Sequence, residues 1–253
     1  MKIKAFSDNH GYLPSIEEIG ECDVLCICGD IFPLQEQRDY YGSLSWYLGI
    51  FYPWVQSLKC KKVIMIAGNH DFFLEHLHEK FVNKPDDISS KIYSYRIEWT
   101  REIPQVKELL EPKKDSKLIY LIDREVEIEG IKFYGTPYIQ DLSRWAFYLD
   151  NESLKDKFNE IPSNTDVLLT HQPPTLNNCG LVKQPHTFNY LNDYGSQILT
   201  DVITEKKNIK WVLSGHVHSG EHIPKKINNT NVVNVSIKDE DYKVKYNIFE
   251  FEL

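Results

Sequence analysis

Seven side chains with metal-ligand chemistry stand just past the ends of apolar runs in this chain: Asp8, His10, Asp30, Asn69, His171, His216 and His218. Carboxylate, imidazole and amide-oxygen donors, with no thiolate among them, suit a pair of borderline first-row divalent ions such as Mn, Fe, Zn or Ni. Singly, each motif is weak: Asp-x-His occurs by chance, and a Gly-Asp pair after a strand is usually a turn. Their shared placement is what carries information, because in open α/β sheets ligands bind beyond the carboxyl ends of the strands. Asp8-x-His10 and His216-x-His218 have the i, i+2 spacing that puts two side chains on one face of an extended chain. Gly11, Gly29, Gly68 and Gly215 adjoin these residues, where the lack of a β-carbon lets backbone or substrate come close.

The elements that must position them read as alternating strands and helices. Strands are predicted at 2–7, 23–28, 62–67, 117–122 and 166–170, and again at 210–213, 231–237 and 242–251. Residues 125–128 and 131–134, separated by Glu129-Gly130, read as a hairpin closed by Gly135-Thr136-Pro137-Tyr138. Tyr40, Leu44, Tyr47, Phe51, Val55 and Leu58 recur at helical spacing, with Pro53 expected to kink or restart that helix. Further helices are predicted at 15–19, 150–158 and 196–207, and the charged, Pro-containing stretch 72–116 reads as helices with a surface excursion. The aromatic crowding over 40–54 reads as core packing of one helix. Such alternation, followed by late antiparallel strands, argues for a layered α/β protein.

Composition bounds the rest. A length of 253 residues supports a sizeable core, and 42% hydrophobic with 26% charged residues is ordinary for a globular protein. No apolar run approaches ~18 residues, so no membrane-spanning helix is expected. Asp8 comes too early for the apolar region of a signal peptide. Five cysteines, without a CxxC pair, point to reduced thiols and a cytoplasmic setting, with Cys22, Cys26 and Cys28 read as core thiols. A net charge of −8 makes a nucleic-acid partner unlike this chain. An anionic substrate remains compatible, because bound cations dominate the charge of such a site.

Asp8-Asn9-His10-Gly11, Gly29-Asp30, Gly68-Asn69-His70-Asp71, Thr170-His171 and Gly215-His216-Val217-His218 resemble the five ordered blocks of the calcineurin-like metallophosphoesterases. Thr170-His171-Gln172-Pro173-Pro174, with Gly135-Thr136-Pro137-Tyr138 and Trp145-Ala146-Phe147, resembles a compact stand-alone subgroup with phosphodiesterase activity. The resemblance implies a single domain over 1–253, a four-layer α/β/β/α sandwich of two mixed β-sheets flanked by helices. It implies two divalent ions: Asp8, His10 and His218 on the first, Asn69, His171 and His216 on the second, and Asp30 on both. The shared carboxylate requires an ion separation of about 3.5–4 Å. It further implies hydrolysis of a phosphate ester by a metal-bridging hydroxide, with His70 as general acid and Asp71 orienting its imidazole. Gly29-Asp30 continues as Ile31-Phe32-Pro33, where protein-phosphatase members carry a further Asp and an Arg, which argues against a phosphoprotein substrate.

The expected partner is a small phosphate ester, most simply a diester, nucleotide-derived esters included, with no membrane role. A phosphomonoesterase, a nucleic-acid-processing phosphoesterase and a non-catalytic metal-binding scaffold are the alternatives. His186, His222, Arg144 and Tyr12 read as ordinary surface residues, His76 and His78 as solvated. Trp145 and Phe147 read as packing beneath the Pro137 turn rather than as a stacking platform.

Overall fold

The computed structural model describes residues 1–78, 97–113, 115–140, 142–176, 180–183, 191–206 and 208–253. β1 (Lys2–Phe6), β2 (Val24–Cys28), β3 (Lys62–Ile66) and β4 (Leu118–Tyr120) lie side by side and parallel. β5 (Arg124–Ile128) and β6 (Ile131–Thr136) form the expected hairpin, and β7 (Val167–Thr170) runs parallel to β6. A small hairpin, β8 (Leu181–Lys183) with β9 (Leu191–Asp193), stands apart. β10 (Trp211–Ser214) returns beside β7, with β12 (Thr230–Asn234) parallel to it and β11 (Lys225–Ile227) antiparallel on the edge. β13 (Phe249–Glu252) closes the first sheet, antiparallel to β1. The sheets are therefore β13-β1-β2-β3-β4 and β11-β12-β10-β7-β6-β5, both mixed.

Strand alternation sorts the apolar residues into three cores, and three cores make four layers. Ile3, Ala5, Val24, Cys26, Ile64 and Ile66 face Phe133, Val167, Leu169, Leu213 and Val233 between the sheets. The opposite faces of the same strands carry Phe6, Leu25, Ile27, Val63 and Met65. These pack under α1 (Ile16–Ile19), α2 (Tyr40–Trp46), α3 (Tyr52–Ser57), α4 (Phe72–Leu77) and α5 (Pro104–Leu110). Leu168, Val212 and Val232 of the second sheet pack under α6 (Asn151–Asn159) and α7 (Gln197–Glu205). β2 is buried along its whole length because both faces are covered, which is why it reads as an unbroken apolar run. Each fully buried Leu or Phe in these layers stabilises the fold by roughly 1.5–3 kcal/mol.

Caps set several boundaries. Ser15 accepts the Glu18 N–H and Glu18 reaches back to the Ser15 N–H, while Asp150 and Ser196 cap α6 and α7. The stripe predicted over 39–58 is divided: a π-turn at Tyr47–Phe51 separates α2 from α3. Pro53 falls in the first turn of α3, where its missing N–H costs nothing. Of the predicted strand 242–251 only the end forms, as Phe249–Glu252; at its start Asp239 Oδ1 accepts the N–H groups of Asp241 and Lys243 and folds the chain into a turn.

The expectation of reduced thiols is corrected. Cys22 and Cys60 form a disulfide with Cα atoms 4.7 Å apart. The register that pairs Val24 with Lys62 places these two cysteines opposite each other, two residues earlier on neighbouring chains. Cys26 and Cys28 are buried free thiols, as expected. The cysteines therefore no longer argue for a reducing compartment. No helix among the described residues is long and apolar enough to cross a membrane.

Candidate metal centre

The carboxyl ends of β1, β2 and β3 from one sheet meet those of β7 and β10 from the other. All seven predicted donors converge there. His10 Nε2 lies 3.3 Å from His218 Nε2, and His218 Nε2 lies 3.4 Å from Asp8 Oδ1. Asn69 Oδ1 lies 2.9 Å from His171 Nε2 and 2.7 Å from His216 Nδ1. Asp30 stands between the two groups, Oδ2 3.9 Å from His10 Nε2 and Oδ1 3.4 Å from His171 Nε2. Donors on one ion at bonds of about 2.0–2.2 Å stand roughly 3 Å apart, so these separations fit divalent cations. Asp8 with His10 and His218, and Asp8 with Asp30 and His171, form groups compact enough to hold an ion, and so does His10 with Asp30 and His70. His10 Nε2 and His218 Nε2 face each other, an approach of two imidazole nitrogens that a shared cation would satisfy.

The convergence is not produced by shared strand faces. Asp8, His10, Asp30 and His216 all have positive φ, at 55°, 41°, 55° and 70°. Left-handed backbone in four non-glycine residues costs on the order of 1 kcal/mol each. The i, i+2 argument for Asp8-x-His10 and His216-x-His218 thus gave the right neighbours for the wrong reason: the backbone turns after each strand. Gly68 and Gly215 fit the expectation of close approach. A Cβ on Gly68 would strike Asp30 Oδ1 and the His171 ring, and one on Gly215 would strike Ser7 and the Asp8 carboxylate.

A surrounding set of hydrogen bonds orients the donors. His171 Nδ1–H donates to the Cys28 carbonyl at 2.8 Å and His218 Nδ1–H to the Asp239 carbonyl at 2.9 Å, which points both Nε2 atoms at the centre. Asp8 Oδ2 accepts from Ser236 Oγ at 2.6 Å and from the His216 N–H at 2.9 Å. Asp71 does not meet the His70 imidazole, contrary to expectation. Its carboxylate accepts from the backbone N–H groups of Asp30, Ile31, Phe32 and Gly68 at 2.8, 2.9, 3.2 and 2.7 Å. His70 Nδ1 meets Gln37 Oε1 instead, and the His70 backbone N–H donates to Asp30 Oδ1 at 2.8 Å. Gln37, Ser236 and Asp239 escaped sequence reasoning. None has a motif around it, and Asp239 acts through its carbonyl.

A cavity of about 310 Å³ opens over the centre. Asp30, Asn69, His70, His216 and His218 form its floor, and Leu142, Trp145, Tyr194, Val217, Glu240 and Tyr242 its walls. Trp145 packs 4.4 Å from His70, so it belongs to the site, whereas Phe147 is buried against Tyr138 as expected. His76 and His78 are half-buried rather than solvated, beside Tyr40 and Tyr120, and burial pushes His76 down to about 4. His222 donates to the His218 carbonyl at 3.1 Å and stacks on Tyr246, while the Tyr12 hydroxyl meets Glu18. Arg144 is exposed, and His186 lies outside the described residues.

The four imidazoles split electrostatically. Burial, the largest single influence, pulls all of them down, yet at His171 and His218 the Asp30 and Asp8 carboxylates together with the Cys28 and Asp239 carbonyls outweigh it, holding both up at about 9. His10 and His216, where burial wins, fall to about 3. Burial likewise pushes Asp8 and Asp30 up, but the imidazolium partners hold both well below the usual carboxylate range. A raised His stabilises the fold fully below its ordinary 6.5 and loses that contribution as pH climbs to 9. A lowered His stabilises it above 6.5 and loses that contribution as pH falls toward 3. The metal-free protein is therefore expected to be most stable near pH 6.5 and to lose about 5 °C or more in Tm by pH 9. Metal must displace the protons on His171 and His218, so its affinity should rise over that interval. Melting curves with and without added metal between pH 6 and 9 check both; a flat metal-free profile would contradict the assignment.

The family described as calcineurin-like phosphoesterase matches residues 1–220. UPF0046 protein T07D4.2 of Caenorhabditis elegans is 28% identical over 216 residues, which are 83% of this chain and 50% of that protein. Metallophosphoesterase domain-containing protein 1 of Homo sapiens is 28% identical over 200 residues, 76% of this chain and 55% of that protein. The chain thus spans about half the length of these curated relatives. Among solved structures, the phosphopantetheinyl hydrolase PptH of Mycobacterium tuberculosis covers 95% of this chain, and this chain 90% of it, at 12% identity and a TM-score of 0.47. The calcineurin-like phosphoesterase YfkN of Bacillus subtilis has a TM-score of 0.41 at 13% identity, over 92% of this chain and 80% of that one. With two mixed sheets flanked by helices, and a family match running from the first strand through the last of the five donor blocks, the chain belongs to the calcineurin-like phosphoesterases.

Proposed function

We propose that this centre hydrolyses a small phosphodiester. The observation that carries the reading is Asp30, whose two oxygens face separate donor groups, Asp8/His10/His218 on one side and Asn69/His171/His216 on the other. Each group would hold one divalent cation, with Asp30 on both. Such a pair would lower the pKa of a nearby water and offset charge on the phosphoryl oxygens. Mn, Fe, Zn and Ni all suit the donors.

The chain's own residues supply the rest. His70 overhangs Asp30, its Nε2 3.9 Å from Asp30 Oδ2, and acts as general acid toward the departing oxygen. Trp145 packs against that ring, with centroids 4.4 Å apart. No Lys or Arg occurs among the described residues that line the cavity, while Glu240 and four apolar or aromatic side chains besides Tyr242 do. Those walls favour a monoanionic diester carrying an apolar or flat group over a dianionic monoester. A long nucleic acid is disfavoured by the chain's net charge of −8.

Metal analysis of the loaded protein, with turnover of bis(p-nitrophenyl) phosphate against p-nitrophenyl phosphate, tests the proposal. Two ions per chain and preference for the diester are expected. Two ions without turnover would identify a metal-binding scaffold instead. His70→Ala is expected to slow esters with alkoxide leaving groups by about 10²–10⁴-fold while sparing those that leave as nitrophenolate. Equal losses on both would remove His70 from the acid role.

A further inference from the structure

We infer that Gln37 is the positioning residue of the general acid: its side-chain oxygen holds His70 in the Nδ1–H tautomer and aims Nε2 at the scissile ester. The inference rests on the reading of His70 given above.

A neutral imidazole carries its hydrogen on one nitrogen and a lone pair on the other, and a hydrogen-bond partner at one nitrogen decides which. Gln37 Oε1 is an acceptor and sits at His70 Nδ1, so that nitrogen must carry the hydrogen. Nε2 is then the nitrogen that gains and gives up the working proton, and it is the one facing Asp30 and the cavity. As the ester P–O bond breaks, its electron pair stays on the departing oxygen. That oxygen takes the proton from Nε2 and leaves behind the neutral Nδ1–H imidazole. The ring is ready for the next proton without rotation.

The backbone that carries Gln37 is fixed on both sides. Pro33 starts a tight turn in which the Glu36 and Gln37 N–H groups both donate to the Pro33 carbonyl, at 3.0 and 2.9 Å. The chain leading into that turn, Asp30 to Phe32, is pinned through its N–H groups by the Asp71 carboxylate, one residue beyond His70. One carboxylate therefore fixes the spacing between His70 and the segment that carries its partner. Trp145 at 4.4 Å and His10 at 4.7 Å pack against the same ring and leave its Nδ1 edge to Gln37. Gly29-Asp30 is followed by no second Asp, and the group beside His70 Nδ1 is a neutral amide from the turn that comes next. An uncharged partner orients the ring without adding a negative charge next to Asp30.

The test has two independent readouts. With ¹⁵N-labelled histidine and NMR on the metal-free full chain, the His70 resonances, assigned by their loss in His70→Ala, should show a protonated Nδ1. Gln37→Leu should shift them toward a mixture of tautomers, and Gln37→Glu should restore the Nδ1–H form. A wild-type Nε2–H tautomer, or no change in Gln37→Leu, overturns the inference whether or not the protein turns over any ester. In the metal-loaded chain, methyl aryl phosphates from p-nitrophenyl to phenyl report on the acid. Gln37→Leu should lower kcat for the phenyl ester by about 10–100-fold with KM and the nitrophenyl rate nearly unchanged. The double variant with His70→Ala should be no worse than His70→Ala alone. Equal loss across the series, or losses that multiply in the double variant, would reduce Gln37 to a structural residue and overturn the proposal. Absence of any turnover by the wild type would instead count against the function proposed above and leave the tautomer result standing.

Discussion

Replacing Asp30 with Asn is expected to reduce the two ions per chain proposed above to one or fewer and to slow the proposed phosphodiester hydrolysis by roughly 10⁴-fold. Removing a hydrogen-bond partner behind a metal ligand already costs about 10–100-fold in affinity or activity. Asp30 faces both donor groups directly, so its loss acts on two ions at once. The donor groups are unequal in charge. One contains the Asp8 carboxylate, but the other has only Asn69, His171 and His216 besides Asp30, all neutral when bound. The second ion should therefore leave first. The fold should survive, because an Asn oxygen in the same place still accepts the His70 N–H now held at 2.8 Å by Asp30 Oδ1. Metal content by mass spectrometry, a melting curve and kcat/KM on one diester check the three parts. Retention of two ions and full activity would sink the bridging role.

The fold was open to sequence reading where burial imposes a period. β2 and β3 sit between two covered faces, so continuous apolar runs announce them, and β5 and β6 alternate around Glu129-Gly130. Polar segments gave less. β8, β9 and β11 are three residues each, too short for periodicity to register. The turn at 239–243 hides in a sequence that alternates like a strand, because one Asp side chain captures two N–H groups there. The Cys22–Cys60 pairing depends on the register of two parallel strands, which no local pattern contains.

The same divide runs through the site. Seven donors could be picked out because each follows a strand end, and the layered fold brings strand ends of two sheets to one crevice. What holds them could not be picked out. The left-handed backbone at Asp8, His10, Asp30 and His216 has no signature beyond neighbouring glycines. Gln37 lies in an ordinary polar turn, and only the spatial approach to His70 distinguishes it. Asp71 stands beside His70 in sequence, whereas its carboxylate acts on residues some forty positions away.

That work makes Asp71 the residue whose loss should cost the most stability. Replacing it with Ala leaves the N–H groups of Asp30, Ile31, Phe32 and Gly68 without their acceptor in a region sealed from solvent. A buried donor stranded in this way costs about 1–3 kcal/mol, and relaxation of the loops recovers part of it, so a net loss of about 4 kcal/mol is expected. For a chain of this size that corresponds to a fall in Tm of about 10 °C or more. Burial first, and the Asp30 charge second, hold the Asp71 carboxyl up at about 7, so giving up its charge is a smaller penalty than giving up its oxygens. Asn keeps one oxygen in place but sets an NH₂ group against the remaining donors, and should fall between wild type and Ala. Activity should drop more steeply than stability: freeing the Asp30–Phe32 segment moves the proposed bridging carboxylate and the Gln37 turn together. Thermal melts of the Ala and Asn variants, read beside kcat/KM at a temperature where both stay folded, check this order. A variant with Ala at 71 that melts like wild type would show that the four N–H groups find other partners, and that the clamp is not what holds the centre in shape.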